Sequence, residues 1–209
     1  MFVLTVDQDA SRRRGDRVDA ALAGLDAHID ARGLATDLAL PFERTVGDEI
    51  QGVVTGAPAA LDLVLYLQRR AEWSVGVGVG PVDLPLAGSA RASSGEAFVR
   101  ARAAVERAKG KSVPVPLALD AGERPNGAAD EAEALVQLLA AVVRRRTERG
   151  WEVVDLLTDG VGTAREAASR LGITPQAVSQ RLDAAMWSVQ DRVHPLAERL
   201  LADLDLAAT

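Results

Sequence analysis

The chain has 209 residues, with 24 Lys and Arg against 30 Asp and Glu, no cysteine, and 48% hydrophobic residues. That length holds one large domain or two small ones, and the apolar share excludes global disorder. The net charge of −6 argues against a protein that coats nucleic acid without regard to sequence, and leaves room for a local basic patch.

Without cysteine there is no disulfide framework, thiolate metal site or cysteine nucleophile. His28 and His194 are the only histidines and stand far apart in the chain, which leaves little for a histidine-rich zinc site. No uncharged apolar stretch reaches about 18 residues, so no membrane span is expected. The start Met1–Asp7 has no basic segment and soon meets an acid, unlike a signal peptide, so the expected location is the cytoplasm.

Residues 2–7 are apolar and β-prone and read as a buried strand. From Asp16 to Arg32, the spacing of Val18, Leu22, Leu25 and Ile29 predicts an amphipathic helix, with Gly33 closing it. Phe42–Val46 and Ile50–Val54 read as two strands of a hairpin around Gly47-Asp48-Glu49. Pro58 marks the first turn of a helix through Leu61, Leu65 and Leu67. Trp73–Val79 reads as a strand and Gly95–Lys109 as a helix with Phe98, Ala101, Val105 and Ala108 on one face. Val113–Leu119 reads as an edge strand, because Pro114 and Pro116 bar it from a sheet centre.

This order is a split βαββαβ pattern, a ferredoxin- or palm-like α/β domain over 1–119. Residues 120–130 cluster Gly, Pro and Asn and read as a linker. The rest, 131–209, reads as all-helical: Glu131–Arg149, Trp151–Leu157, two short helices around Gly172, and a last helix from Trp187 to about Leu204 that Pro195 should start, kink or break. The fold class expected is therefore α+β. Trp151 and Trp187 are assigned to packing, and Arg144-Arg145-Arg146 with Arg149 to the solvated end of a helix rather than to phosphate contacts.

The segment Thr163–Leu182 has the parts of a helix-turn-helix. Ala167 and Ala168 allow a close crossing, Gly172 tolerates positive φ, and Ile173, Val178 and Leu182 point inward. Thr174 suits an N-cap and Pro175 the first helical position. The outward face then holds Gln176, Ala177, Ser179 and Gln180, with Arg181 at its edge, residue types that pair with base edges in the major groove. Arg165 and Arg170 on the preceding helix are placed to hold phosphates. Residues 163–182 carry three Arg against one Glu, net +2, whereas 130–209 carry 9 Arg against 13 Asp and Glu, net −4. One copy should therefore bind double-stranded DNA weakly and with strong salt dependence, and a homodimer is the expected remedy.

A second constellation lies in the first domain. If strand one pairs antiparallel with strand three, Asp7 meets the hairpin turn that carries Asp48 and Glu49. Three carboxylates at a sheet edge suit Mg²⁺ and a nucleotide, with Arg12, Arg13, Arg14 and Lys109 near the phosphates. Gly47-Asp48-Glu49 is similar to a fragment of the GGDEF hairpin of diguanylate cyclases. The alternative is a good hairpin turn with exposed acids. Val75-Gly76-Val77-Gly78-Val79-Gly80 lacks the G-x-G-x-x-G spacing, and its glycines read as one strand face approached closely by a helix.

These residues together resemble the SatD family. The resemblance runs through Val6-Asp7-Gln8 with Ser11-Arg12, Thr45–Gly52, Val75–Gly80, Gly95-Glu96-Ala97-Phe98 with Ala101-Arg102, and Leu171–Leu182. Family members often carry Gly-Asp-Ile at the first strand and Phe after the hairpin Glu. Gln8 and Ile50 depart from that pattern and mark a divergent member. The resemblance implies a palm-like domain followed by a helix-turn-helix in a bacterial cytosolic DNA-binding protein. The reading is thus a transcriptional regulator using helix 175–185. The alternative is a Mg²⁺-dependent nucleotide-binding or nucleotidyl-cyclase-like enzyme using Asp7, Asp48 and Glu49, or a nucleotide acting only as an effector.

Overall fold

Phe2, Leu4 and Val6 alternate with Val3 and Thr5, and all five are fully buried, so the first strand has two covered faces. The computed structural model describes residues 1–9 and 15–208. Ser11, Arg12, Arg13 and Arg14 therefore lie outside the described residues. The molecule is α+β, a five-stranded mixed sheet with helices on both faces.

The strands are β1 (Phe2–Gln8), β2 (Leu38–Arg44), β3 (Glu49–Val54), β4 (Trp73–Val79) and β5 (Leu117–Asp120). They run in the order β2-β3-β1-β4-β5. β1 is antiparallel to both β3 and β4, β2 is antiparallel to β3, and β5 runs parallel to β4. The helices are α1 (Val18–Arg32), α2 (Ala57–Arg69), α3 (Glu96–Ala108), α4 (Ala128–Arg145), α5 (Glu148–Thr158), α6 (Ala164–Leu171), α7 (Pro175–Ala184) and α8 (Trp187–Leu206).

Phe2, Leu4, Val6, Val75, Val77 and Leu117 face one apolar cluster, shared with α1, α2, α4 and α8. The opposite face, with Val3 and Val53, meets Ala97 and Ala101 of α3. The glycines of β4 explain how α3 lies so close. A Cβ at Gly78 would stand 2.0 Å from the Ala97 carbonyl oxygen, and one at Gly76 would stand 2.2 Å from the Val105 nitrogen. Only a strand without side chains on that face admits the helix backbone.

The chain crosses residues 120–130 with Gly122, Asn126 and Gly127 at positive φ, and α4 then turns back onto the sheet. Glu133 of α4 accepts from the Leu119 amide at 2.7 Å, and Gln137 donates to the Leu117 carbonyl at 2.8 Å. These side chains satisfy the outer edge of β5, which would otherwise be open for pairing. Apolar residues from both sides of 120–130 thus share one cluster. A second, smaller cluster joins α5, α6 and α7 through Val153, Ala167, Ala168 and Val178.

Several boundaries differ from expectation. β2 begins at Leu38, which pairs with Val54; across its register shifts Leu38 and Phe42 pack on one face of the sheet and Leu40 on the other, and Thr45–Asp48 form the turn, with Gly47 at φ 65°. β5 is shifted to 117–120, past Pro114 and Pro116. α5 starts at Glu148, capped by the Thr147 hydroxyl, which accepts from the Gly150 amide. Pro195 stands inside α8 rather than starting or breaking it. Its missing N–H frees only the carbonyl four residues back, that of Asp191, whose side is exposed to water. Among the described residues, no helix is long and apolar enough to cross a membrane.

Candidate functional site

The turn between α6 and α7 has the backbone expected of it. Gly172 adopts φ 64°, and Ile173 donates to the Ala168 carbonyl at 3.0 Å. The Thr174 hydroxyl accepts from the Ala177 amide at 3.1 Å, with Pro175 next in the chain. Ala167, Ala168 and Val178 are buried, and Leu171, Ile173 and Leu182 pack against them. This side anchors α7 and leaves Gln176, Ser179 and Gln180 exposed. Ala177 is half-buried, Thr174 is exposed, and the Ser179 hydroxyl donates to the Pro175 carbonyl at 3.2 Å.

The basic residues differ in their engagement. Arg165 is exposed. Arg170 pairs with Glu166 at 2.9 Å on its own helix, and Arg181 pairs with Glu152 of α5 at 2.8 Å. Exposed pairs of this kind are worth about 0–1 kcal/mol, so neither arginine is committed.

The three carboxylates at the end of β1 and in the hairpin also come together. Asp7 faces Glu49 across β1 and β3, with Asp48 beside them in the turn. Each strand-end acid carries a cation, however. Lys109 contacts Asp7 at 2.8 Å and also Glu106 at 2.9 Å. Glu49, with its side chain 5% exposed, is held by Arg102 and accepts from the Thr45 hydroxyl at 2.6 Å. Burial pushes the Asp7 carboxyl above its ordinary value, Lys109 opposes this, and the charges of Asp48 and Glu49 add to it. Among the described residues, no group of three or more His, Asp or Glu side chains is arranged to hold a metal ion. This donor set does not fit Mg²⁺: two of its three acids, Asp7 and Glu49, are largely buried and already neutralised by Lys109 and Arg102.

A third place was not legible in the sequence. A cleft of about 530 Å³ lies between α1 and α2 on one side and the end of α4, α5 and α8 on the other. Both histidines line it, brought together by the fold although remote in the chain. The His28 ring stacks on Tyr66 with centroids 4.1 Å apart and contacts the Asp62 carboxylate, which Arg32 also approaches at 3.3 Å. His194 lies 3.5 Å from Glu198. Trp151 and Trp187 are half-buried in the wall, and Trp151 packs against the main apolar cluster as expected.

Arg146 is the main departure from expectation, because it is buried rather than solvated, with 8% of its surface exposed. Its Nε and Nη2 donate to the Ala185 carbonyl at 3.3 and 3.0 Å, and Nη2 donates to the Gln190 side chain. Its guanidinium lies 4.3 Å from the centre of the Trp151 ring, which Arg69 approaches at 3.9 Å. Arg144 is also partly buried and donates to Gln68 at 3.1 Å, whereas Arg145 and Arg149 are exposed. A run of three arginines at a helix end contains no signal for which one turns inward; the following Thr147 cap and the flanking tryptophans are the only hints.

Compared with family models, with curated proteins and with solved structures, the chain matches none.

Proposed function

We propose that the protein is a DNA-binding transcriptional regulator of the SatD type, with a palm-like α/β domain and a helix-turn-helix that places α7 in the major groove. The observation that carries this reading is the division of α7 into two faces. Val178 is buried against α5 and α6, while Gln176, Ser179 and Gln180 on either side of it are exposed. A helix that projects amide side chains from its first turns, held rigid behind by a capped tight turn, suits base reading. Arg165, Arg170 and Arg181 supply phosphate contacts, the last two by exchanging an exposed carboxylate for a phosphate. The small positive balance of 163–182 within an acidic chain makes a homodimer on two half-sites the natural working form. The convergence of Asp7, Asp48 and Glu49 is structural in this reading, tying β1, the hairpin and α3 together through Lys109 and Arg102. The test is capture of fragmented bacterial DNA by the intact protein at near-physiological salt, followed by sequencing. Enrichment of a few discrete sites supports the proposal; a flat profile overturns it.

A further inference from the structure

We propose that the outward faces of α4 and α8 together form the interface between two copies of this chain, packed antiparallel about a two-fold axis. Along α8, Val189, Val193, Leu196 and Leu200 recur at steps of four, three and four residues and so share one stripe of the helix. Val189 and Leu196 are exposed, and Val193 and Leu200 are half-buried. α4 lies antiparallel beside α8: Arg146 reaches Gln190 at one end, and Val136 and Leu201 line one small cavity toward the other. On α4, Leu138 is 59% exposed and Val142, one turn on, is half-buried. Large apolar side chains gathered on two packed helices and left in water mark an association surface.

The charges around the stripe say what covers it. Arg192 of α8 and Arg145 of α4 lie toward one end of the helix pair, Asp203 and Glu131 toward the other, and all four are exposed. Among the described residues, none of the four holds an ion pair within the chain. A copy laid parallel would set like charge on like. A copy turned end for end sets Arg192 against Asp203 of the partner subunit and Arg145 against Glu131 of the partner subunit, twice each. The midpoints agree. Leu138 lies midway between Glu131 and Arg145 on α4, and Ala197 and Glu198 lie midway between Arg192 and Asp203 on α8. In the register set by the Arg146 and Leu201 contacts these two places are side by side, so one two-fold axis serves both helices. Leu138 then faces its own copy. Arg199, exposed near the axis, also meets its own copy, one like-charge contact against four of opposite sign. The axis lies about 12 residues from Ala185, where α7 ends, so the two copies of that residue stand about 36 Å apart at about 1.5 Å per residue. Half-sites one DNA turn apart are separated by about 34–36 Å. That agreement rests on the DNA-reading role of α7; the interface itself does not.

Sedimentation of the full chain from about 1 to 100 µM reads the assembly state without DNA. The parent should pass from monomer to dimer over that range. Leu196→Glu, at an exposed position, should weaken the dimer at least about tenfold by setting a charge against an apolar contact. Arg192→Glu should weaken it several-fold, and Arg192→Glu/Asp203→Arg should restore it, because the turned copy pairs the exchanged charges again. The chain has no cysteine, so Leu138→Cys adds a single thiol, and a short bismaleimide should join two copies of that variant. Val99→Cys, exposed on α3, is the control and should stay unlinked. If Leu196→Glu does not fold, the parent and the charge exchange decide. A parent that stays monomeric at about 100 µM would mean that the stripe meets something other than its own copy, and would overturn the proposal. So would a folded Leu196→Glu that dimerises like the parent, a double exchange that does not recover, or Val99→Cys linking as readily as Leu138→Cys. A dimer that shows no DNA binding supports the interface and removes only the regulator reading.

Discussion

Arg181 of α7 donates to the Glu152 carboxylate of α5 at 2.8 Å, so the helix proposed to read DNA is tethered by a residue that would also meet phosphate. Glu152 thus competes with DNA for Arg181. Glu152→Gln removes the competitor and one repulsive charge, and should tighten DNA binding a few-fold, matching an exposed pair worth about 0.2–1 kcal/mol. It should also steepen the salt dependence by about one counterion. Fluorescence anisotropy of labelled DNA over a salt series reads both quantities. Unchanged affinity and slope would mean that Arg181 stays on Glu152 in the complex or never meets DNA.

The contact of α3 with β4 sets a second expectation. Gly78→Ala would place a methyl 2.0 Å from the Ala97 carbonyl oxygen and 2.4 Å from the Ala101 nitrogen, both backbone atoms of a packed helix. The helix must shift, and a loss of about 3 kcal/mol is expected from overpacking on this scale. Gly88→Ala, with nothing within 4 Å of the new methyl, is the control and should change stability little. Urea denaturation of the two variants makes the comparison.

Asp62 links stability to pH. Burial opposes its ionisation, but the hydrogen bond from His28, the His28 charge and Arg32 outweigh it, and the carboxyl is held below its ordinary value. A carboxyl with a depressed folded-state pKa contributes stability above its unfolded value, lost as pH falls through the folded one. The protein should therefore lose part of its stability on acidification below the ordinary Asp range. Asp62→Asn should be less stable near neutral pH and show a flatter acid limb. Urea midpoints over an acidic pH series check it; parallel curves would exclude Asp62 as a source of the acid sensitivity.

What the sequence disclosed was whatever local chemistry decides. Trp73–Val79 is a strand over the residues expected, and the one-sided glycines at 76 and 78 meet a helix as their pattern implied. Gly172, Thr174 and Pro175 each take the position their backbone and hydrogen-bonding preferences dictate. The Asp7 and Glu49 pairing followed from strand order and register alone. The cations that occupy these acids were less legible: Arg102 reaches Glu49 from a helix 53 residues away. The cleft was not legible at all, because its walls come from segments at both ends of the chain and no short motif joins His28 to His194. Pro195 neither starts nor breaks α8, because a proline costs a helix one bond, and a carbonyl on a wet face tolerates that loss.

If α7 reads bases through Gln176 and Gln180, selection from a pool of randomised duplex DNA must depend on both side chains. The parent protein and the folded Gln176→Ala/Gln180→Ala variant are carried through the same rounds at the same salt. The expected result is a defined motif for the parent, and for the variant retained weak binding with preference lost at the positions those side chains meet. The same motif, position for position, from both proteins would contradict the claim.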